Sequence, residues 1–255
     1  AHGVYGMTAI TALTAQNTTG VTDILAVPPA FLAAQLDAVF TDIPPDAVKI
    51  GMVADAALIR VIAEKLDEYH ARNIVVDPVM VATSGARLIS ADAVEALVSL
   101  LLPRAAIITP NIPEAEVLAD MAITDRTAMT AAAARIYERT HSAVLMKGGH
   151  SVDDANDLLV DGAGARWFEG RRIATANTHG TGCTLSSAIA CALAAGLSLP
   201  AAVAHAKGFV RRALGWGEQI GRGCGAIDHY FTVQDPFGAD FDGSCANEIK
   251  IISRD

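Results

Sequence analysis

An alternation of two patterns constrains this chain more than anything else in it. Short apolar runs rich in β-branched residues, "AVKIGMV", "NIVVDPVM", "AAIITP" and "AVLMKGG", are separated by longer stretches with apolar residues at helical spacing. Runs of that length suit strands and are too short for independent helices. Strands joined through helices line up in parallel, and a parallel sheet must be covered on both faces. The expected fold class is therefore α/β, with a mainly parallel central sheet flanked by helices on both faces. The composition suits it: of 255 residues, 52% are hydrophobic but only 5% aromatic, so Ala, Val, Ile and Leu must supply the core.

The remaining pattern fills in around those runs. Residues 4–16 form a mixed run. "PPAFLAAQLDAVFTDI" reads as a helix opened by proline, and "ADAALIRVIAEKLDEYHA" as an amphipathic helix. Further helices are expected near 90–101, over 113–119 and 126–139, and over 182–196 and 199–219. "DLLVDG" and "RWFEGRRI" suggest a two-stranded excursion. No internal repeat, low-complexity tract or interdomain linker stands out.

Charge and cysteine content exclude several classes. A formal net charge of −9 gives no basic surface for nucleic acid. Any anionic ligand must then be held by local groups, not by the overall field. Cys183, Cys191, Cys224 and Cys245 form no CxxC pair, which points to reduced thiols and a cytoplasmic protein. His150 and His179 lack the spacing of a zinc site. Residues 185–206 are apolar, but Ser186, Ser187, Ser198 and Pro200 interrupt them, so no membrane span is expected.

Polar residues gather where the strands should end: Gly51 and Met52, Asp77, Asn111 with Glu114, and Lys147 with Gly148 and Gly149. In open α/β sheets that rim is where ligands bind. Each motif has an ordinary reading as well. Asp77 before Pro78 suits a turn. Asn111 and Glu114 have the spacing of a capping box. Lys147 would serve as a solvated loop lysine. The functional readings are a carboxylate that holds Mg²⁺ through water at Asp77, Mg²⁺- and phosphate-positioning groups at Asn111 and Glu114, and a phosphate contact at Lys147.

The stretch "NTHGTGCTL" precedes a long apolar helix. Gly180, Thr181 and Gly182 would aim backbone N–H groups at one spot, where the helix dipole favours an anion and the glycines let it approach. Such amides would stabilise charge on a transferring phosphoryl group. A thiol in the first helical turn is acidified, which would suit Cys183 as a base. A plain glycine turn, with Thr181 as cap, would use the same residues. There is no GxxxxGK[ST] and no GxGxxG after a strand, so neither of those nucleotide sites is expected.

The order of these pieces is more specific than any one of them. "YGMTAITALTAQNTTGV", "KIGMVAD", "VVDPVMVATSGARLI", "ITPNIPEAEVL", "VLMKGGH" and "NTHGTGCTLSSAIA" resemble, in order and spacing, the ribokinase-like small-molecule kinases. Within them the match is to the hydroxymethylpyrimidine/phosphomethylpyrimidine kinases of thiamine biosynthesis. The resemblance implies a ribokinase-like domain over residues 1–231, followed by a tail over 232–255 whose "EIKIIS" suits a strand. It implies phosphorylation by MgATP of 4-amino-5-hydroxymethyl-2-methylpyrimidine and then of its monophosphate. By motif, Gly180 and Gly182 would form the anion hole and Cys183 the base. Asp77, Asn111, Glu114, Lys147 and Thr181 would lie on the nucleotide side, with Asp77 and Glu114 near Mg²⁺. Gln16 and Met52 would face the pyrimidine, and a homodimer is implied as the partner state. A pyridoxal kinase of the same fold is the alternative activity. Family members begin with a strand and a turn resembling "AGSDPSGGAG", whereas this sequence opens at "AHGVYGM". A catalytically inactive binding protein is thus the alternative from another class.

Overall fold

The computed structural model describes residues 1–80, 89–148, 155–217 and 219–231. Among these residues the elements run β1 (Ala12–Asn17), β2 (Gly20–Ala26), α1 (Pro29–Asp42), β3 (Val48–Ile50), α2 (Ala56–Glu68), β4 (Ile74–Val76), α3 (Ala91–Ala96), β5 (Ile107–Ile108), α4 (Ile112–Ala119), α5 (Arg126–Thr140), β6 (Ala143–Met146), β7 (Asp157–Asp161), β8 (Gly164–Phe168), α6 (Thr181–Ala194) and α7 (Leu199–Gly215). His150, the "SGARL" segment and the tail over 232–255 lie outside the described residues.

The central sheet has the order β3-β4-β5-β6-β7-β8. Its first four strands are parallel, as the helical crossovers require. The last two are antiparallel, because β7 and β8 form the expected two-stranded excursion through a tight turn. Successive side chains alternate between two apolar layers. Ile50, Val76, Ile108, Val144 and Met146 face the core shared with α1 to α5. Val75, Ile107, Leu145 and Leu159 face the core under α6 and α7. Both faces are therefore covered, and the residues of β4, β5 and β6 are buried almost completely.

Local chemistry sets the helix ends. Asp55 caps α2, accepting from the amides of Ala57 and Leu58 at 2.6 and 3.3 Å. Its buried residues Ala56, Ile59, Ile62, Ala63 and Leu66 make one apolar face. Asp125 caps α5 through the Ala128 amide at 2.8 Å. The helix expected near 90–101 is α3, which continues in a widened turn to Leu101 and a tight one at Leu102–Arg104, where Pro103 intervenes.

Two expectations change. The last helix, expected over 199–219, stops at Gly215. Gly215 and Gly217 weaken it, and the chain turns to lie against Asn177, whose Nδ2 donates to the Gly217 carbonyl at 2.9 Å. A Cβ on Gly217 would come 3.1 Å from the Cβ of Asn177. The mixed run near the start is instead half of a separate hairpin, β1 with β2, pairing Leu13 with Leu25 and Thr14 with Ile24. Every residue of β2 is exposed, so no buried face had imprinted a period of two on the sequence. No helix among the described residues is long and apolar enough to cross a membrane.

Candidate active site

The carboxyl ends of β4, β5 and β6 meet the start of α6. Asp77 follows β4 and is 1% exposed. Its Oδ1 lies 2.8 Å from Lys147 Nζ, at the end of β6, and accepts from the buried Thr109 hydroxyl at 3.1 Å. This is no solvated lysine: its side chain is 15% exposed. Asn111, just after β5, forms an isolated bridge to Lys147, whose amide donates to the Pro110 carbonyl at 2.9 Å.

Asn111 and Glu114 form the capping box that their spacing allows. The Asn111 amide donates to Glu114 Oε2, and the Glu114 amide to Asn111 Oδ1, both at 2.8 Å. Capping does not use up the carboxylate's meaning, because Glu114 is only 2% exposed. Burial pushes its pKa up, Lys147 opposes that, and the charge of Asp77 adds to it. Asp77, Glu114 and Lys147 thus share one electrostatic neighbourhood, although they come from three different strand ends.

The helix start is open. Gly180 adopts φ +86° as the N-cap of α6, and no side chain among the described residues caps it. Thr181 is not the cap, since its hydroxyl donates backwards to the Thr178 carbonyl at 2.6 Å. The first helical bond runs from the Thr184 amide to the Gly180 carbonyl, so helix geometry leaves the amides of Gly182 and Cys183 without an intrahelical acceptor. A Cβ built on Gly182 would lie 3.4 Å from Lys147 Nζ and 3.7 Å from Asp77 Oδ2. The glycine therefore brings bare backbone up to the ion pair. Cys183, next along, is exposed, while Cys191 two turns on is partly buried and its thiol pKa is raised by that burial.

These groups suit a polyphosphate with a divalent cation. There is an ammonium, an uncapped helix N-terminus without a Cβ in the way, and two buried carboxylates with oxygen donors for Mg²⁺. Asp77, Asn111, Glu114, Lys147 and Gly182 are all brought together. Met52 is elsewhere: it lines a groove of about 740 Å³ beside β3, the edge strand among the described residues, with Tyr5, Lys49 and Cys191. Gln16 stands exposed on β1, where the hairpin register shifts. His179 is tied through its backbone to Gly225 and Ala226.

Two neighbours of Asp77 escaped the sequence reading. Thr109 sits inside the quoted "ITPN" but looks like an ordinary strand residue. Ser186 lies four residues after Gly182, donates to the Gly182 carbonyl at 3.1 Å and comes within 3.5 Å of Asp77 Oδ2. Its one-turn spacing from the glycine was the available signal. Asn177, within the quoted nonapeptide, is buried and its Oδ1 has no partner among the described residues.

The family model described as phosphomethylpyrimidine kinase matches residues 1–228. The thiamine biosynthesis bifunctional protein ThiED of Geobacter sulfurreducens is 50% identical over 234 residues, covering 91% of this chain but 48% of its own length, so the chain spans about half of that relative. The hydroxymethylpyrimidine/phosphomethylpyrimidine kinase of Rhizobium meliloti is 47% identical over 90% of this chain and 88% of its own. The crystal structure of phosphomethylpyrimidine kinase from Clostridium difficile is 42% identical, with a TM-score of 0.75 over 83% of this chain and 87% of that one. Pyridoxal kinase from Staphylococcus aureus in complex with ADP is 31% identical, with a TM-score of 0.84 over 91% and 85%. The fold is thus ribokinase-like, and the chain belongs to the phosphomethylpyrimidine kinase family.

Proposed function

We propose that this chain phosphorylates hydroxymethylpyrimidine with ATP, and then its monophosphate to the diphosphate, in thiamine biosynthesis. The observation that carries the reading is the meeting of Lys147, Asp77 and Gly182 at the open start of α6. The match of residues 1–228 to the family and the 47% identity to a kinase of that name support it. The reading includes a cytoplasmic enzyme that works on small molecules, possesses no nucleic-acid surface and pairs as a homodimer.

In this mechanism the hydroxymethyl oxygen attacks the γ-phosphorus while the bond from that phosphorus to the ADP oxygen breaks. Cys183 takes the hydroxyl proton as the general base. The amides of Gly182 and Cys183, presented by the αL turn at Gly180, receive the charge on the transferring group. Lys147 meets the donor's phosphates as a point charge, and Asp77 holds that ammonium in place. Asp77 and Glu114 would hold Mg²⁺ through water, and the ion, when bound, neutralises charge on the phosphate oxygens. Thr181 braces the turn through Thr178. Met52 would face the ring from the groove that it lines, whereas Gln16, exposed on β1, stands outside that lining and is given no ring contact.

Pyridoxal kinase is the second reading, favoured by the higher TM-score of 0.84. The lower identity of 31%, against 42% for the phosphomethylpyrimidine kinase structure, weighs on the other side. Side-by-side turnover of hydroxymethylpyrimidine, its monophosphate and pyridoxal with MgATP tests both. Consumption of the two pyrimidines is expected. Preference for pyridoxal would transfer the activity to the second reading, and ATP and ring binding without turnover would mark a binding protein.

A further inference from the structure

We propose that Lys207, on α7, is a positioning residue for the donor site, acting through Asp157 and Gly148 on Lys147. The inference rests on the reading that Lys147 meets the nucleotide phosphates.

The path is short and continuous. Lys207 projects from α7, and its Nζ lies 2.5 Å from both Asp157 Oδ2 and the Ala155 carbonyl. The side chains of Lys207 and Asp157 are 17% and 10% exposed. The other oxygen of Asp157 accepts the Gly148 amide at 2.9 Å. Gly148 follows Lys147 directly. The regular β6–β7 ladder ends where Met146 faces Leu158. Beyond that point the Asp157 carboxylate takes over the role of a ladder carbonyl and fixes the next peptide.

The two peptides that flank the Lys147 Cα are held from opposite sides. The Lys147 amide is taken by Pro110 on the β5 side at 2.9 Å, and the Gly148 amide by Asp157 on the β7 side. Gly148 has no room for a side chain: a Cβ there would stand 1.8 Å from the Asn156 carbonyl oxygen, so the backbones of 148 and 156 pass in close contact. The backbone direction at Gly148 sets where the Lys147 stem begins, and hence whether its ammonium reaches Asp77 and the space before Gly182. The Asp157 carboxylate is in turn oriented by Lys207.

Packing alone does not call for a charge at 207. The neighbouring α7 residues Val203, Ala206 and Val210 are buried apolar side chains, and a methionine would fill comparable volume. Buried ion pairs commonly contribute little net stability compared with an apolar replacement. What the pair does supply is a fixed geometry for a carboxylate that holds a peptide next to the phosphate-facing lysine.

The test compares Lys207→Met, Lys207→Arg, Lys147→Ala and the double variant Lys207→Met/Lys147→Ala. ATP and hydroxymethylpyrimidine binding are measured by titration calorimetry, with urea unfolding alongside. Lys207→Met is expected to weaken ATP binding roughly 10-fold or more while pyrimidine binding stays within about 2-fold, and Lys207→Arg should recover most of the loss. In the double variant Lys207→Met should add nothing to the effect of Lys147→Ala, because its action passes through that side chain. Additive losses, equal weakening of both ligands, or unchanged ATP affinity in Lys207→Met would overturn the inference. Should Lys207→Met fail to fold, Asp157→Asn, which keeps an acceptor for Gly148 but drops the charge, is read by the same criteria. Normal ATP affinity in Lys147→Ala, or no ATP binding by the unsubstituted chain, would remove the phosphate reading and this inference together. A loss in Lys147→Ala without one in Lys207→Met would remove only the inference.

Discussion

Lys147 and Asp77 are seventy residues apart in the chain and meet at 2.8 Å, one at the end of β6 and the other at the end of β4. The carboxylate is almost wholly buried and the ammonium mostly so, hence either charge left alone would be poorly solvated. Removing one partner of a buried pair costs up to about 3–5 kcal/mol, whereas removing both costs much less. Lys147→Met should therefore lower urea stability clearly, and Asp77→Asn/Lys147→Met should be more stable than Lys147→Met alone. Phosphoryl transfer should be lost in both. Equal instability of the single and double variants would show that the pair is not mutually compensating.

Glu114 gives a pH-dependent test. Burial lifts its folded pKa above the ordinary 4.5. Between 4.5 and that raised value the folded state holds more protons than the unfolded state, so stability falls as pH climbs through the window. Below the window the stabilising contribution is fully present. Melting temperatures of Glu114→Gln should lack this descending limb, because its side chain does not titrate. If the carboxylate also serves Mg²⁺, turnover of the parent should fall on acidification within the same window, and Glu114→Gln should lose roughly 10–100-fold in Mg²⁺-dependent rate. A variant that loses stability and rate in equal measure would leave Glu114 a helix cap and nothing more.

Gly182 separates folding from binding. A Cβ there would make only ordinary contacts, at 3.4 Å to Lys147 Nζ and 3.7 Å to Asp77 Oδ2. Alanine also favours a helical position over glycine by about 1 kcal/mol. Gly182→Ala should thus melt at the same temperature or higher, yet bind ATP more weakly, because the methyl group occupies the approach to the backbone amides. At Gly180, with φ +86°, alanine should instead be destabilising by roughly 1–2 kcal/mol. Unchanged ATP affinity in Gly182→Ala would mean that the phosphates pass the helix start at a distance.

The sheet was legible because its strands are buried on both faces, which leaves near-continuous apolar runs such as "NIVVDP" and "AVLM". The polar residue closing each run marked the rim, so Asp77, Asn111 and Lys147 could be named before they could be seen to meet. The β1–β2 hairpin was not legible as a pair, since Leu13, Ile24 and Leu25 are exposed and carry no one-sided pattern. Contacts such as Ser186 to Asp77 are set by which helix starts over which strand, and that is a property of topology, not of any local motif. The same holds for Lys207, whose partner Asp157 lies fifty residues earlier.

The last prediction concerns the thiols. Cys183 sits in the first turn of α6, exposed beside the open amides, whereas Cys191 is partly buried in the same helix with a raised pKa. Cys224 is a further control: it is exposed, hydrogen-bonded to Thr178, and its pKa is lowered by that bond. If Cys183 is the base, Cys183→Ala should slow transfer roughly 10²–10⁴-fold with ATP affinity nearly unchanged, because the backbone amides remain. Cys191→Ala and Cys224→Ala should turn over almost normally. Alkylation should discriminate further. Cys183 and Cys224 should both react faster than Cys191, but only loss of the Cys183 thiol should track loss of rate, and bound ATP with pyrimidine should protect it. Should Cys183→Ala turn over as fast as Cys191→Ala, the proton goes elsewhere, and the contribution of "HGTGC" is confined to its backbone amides.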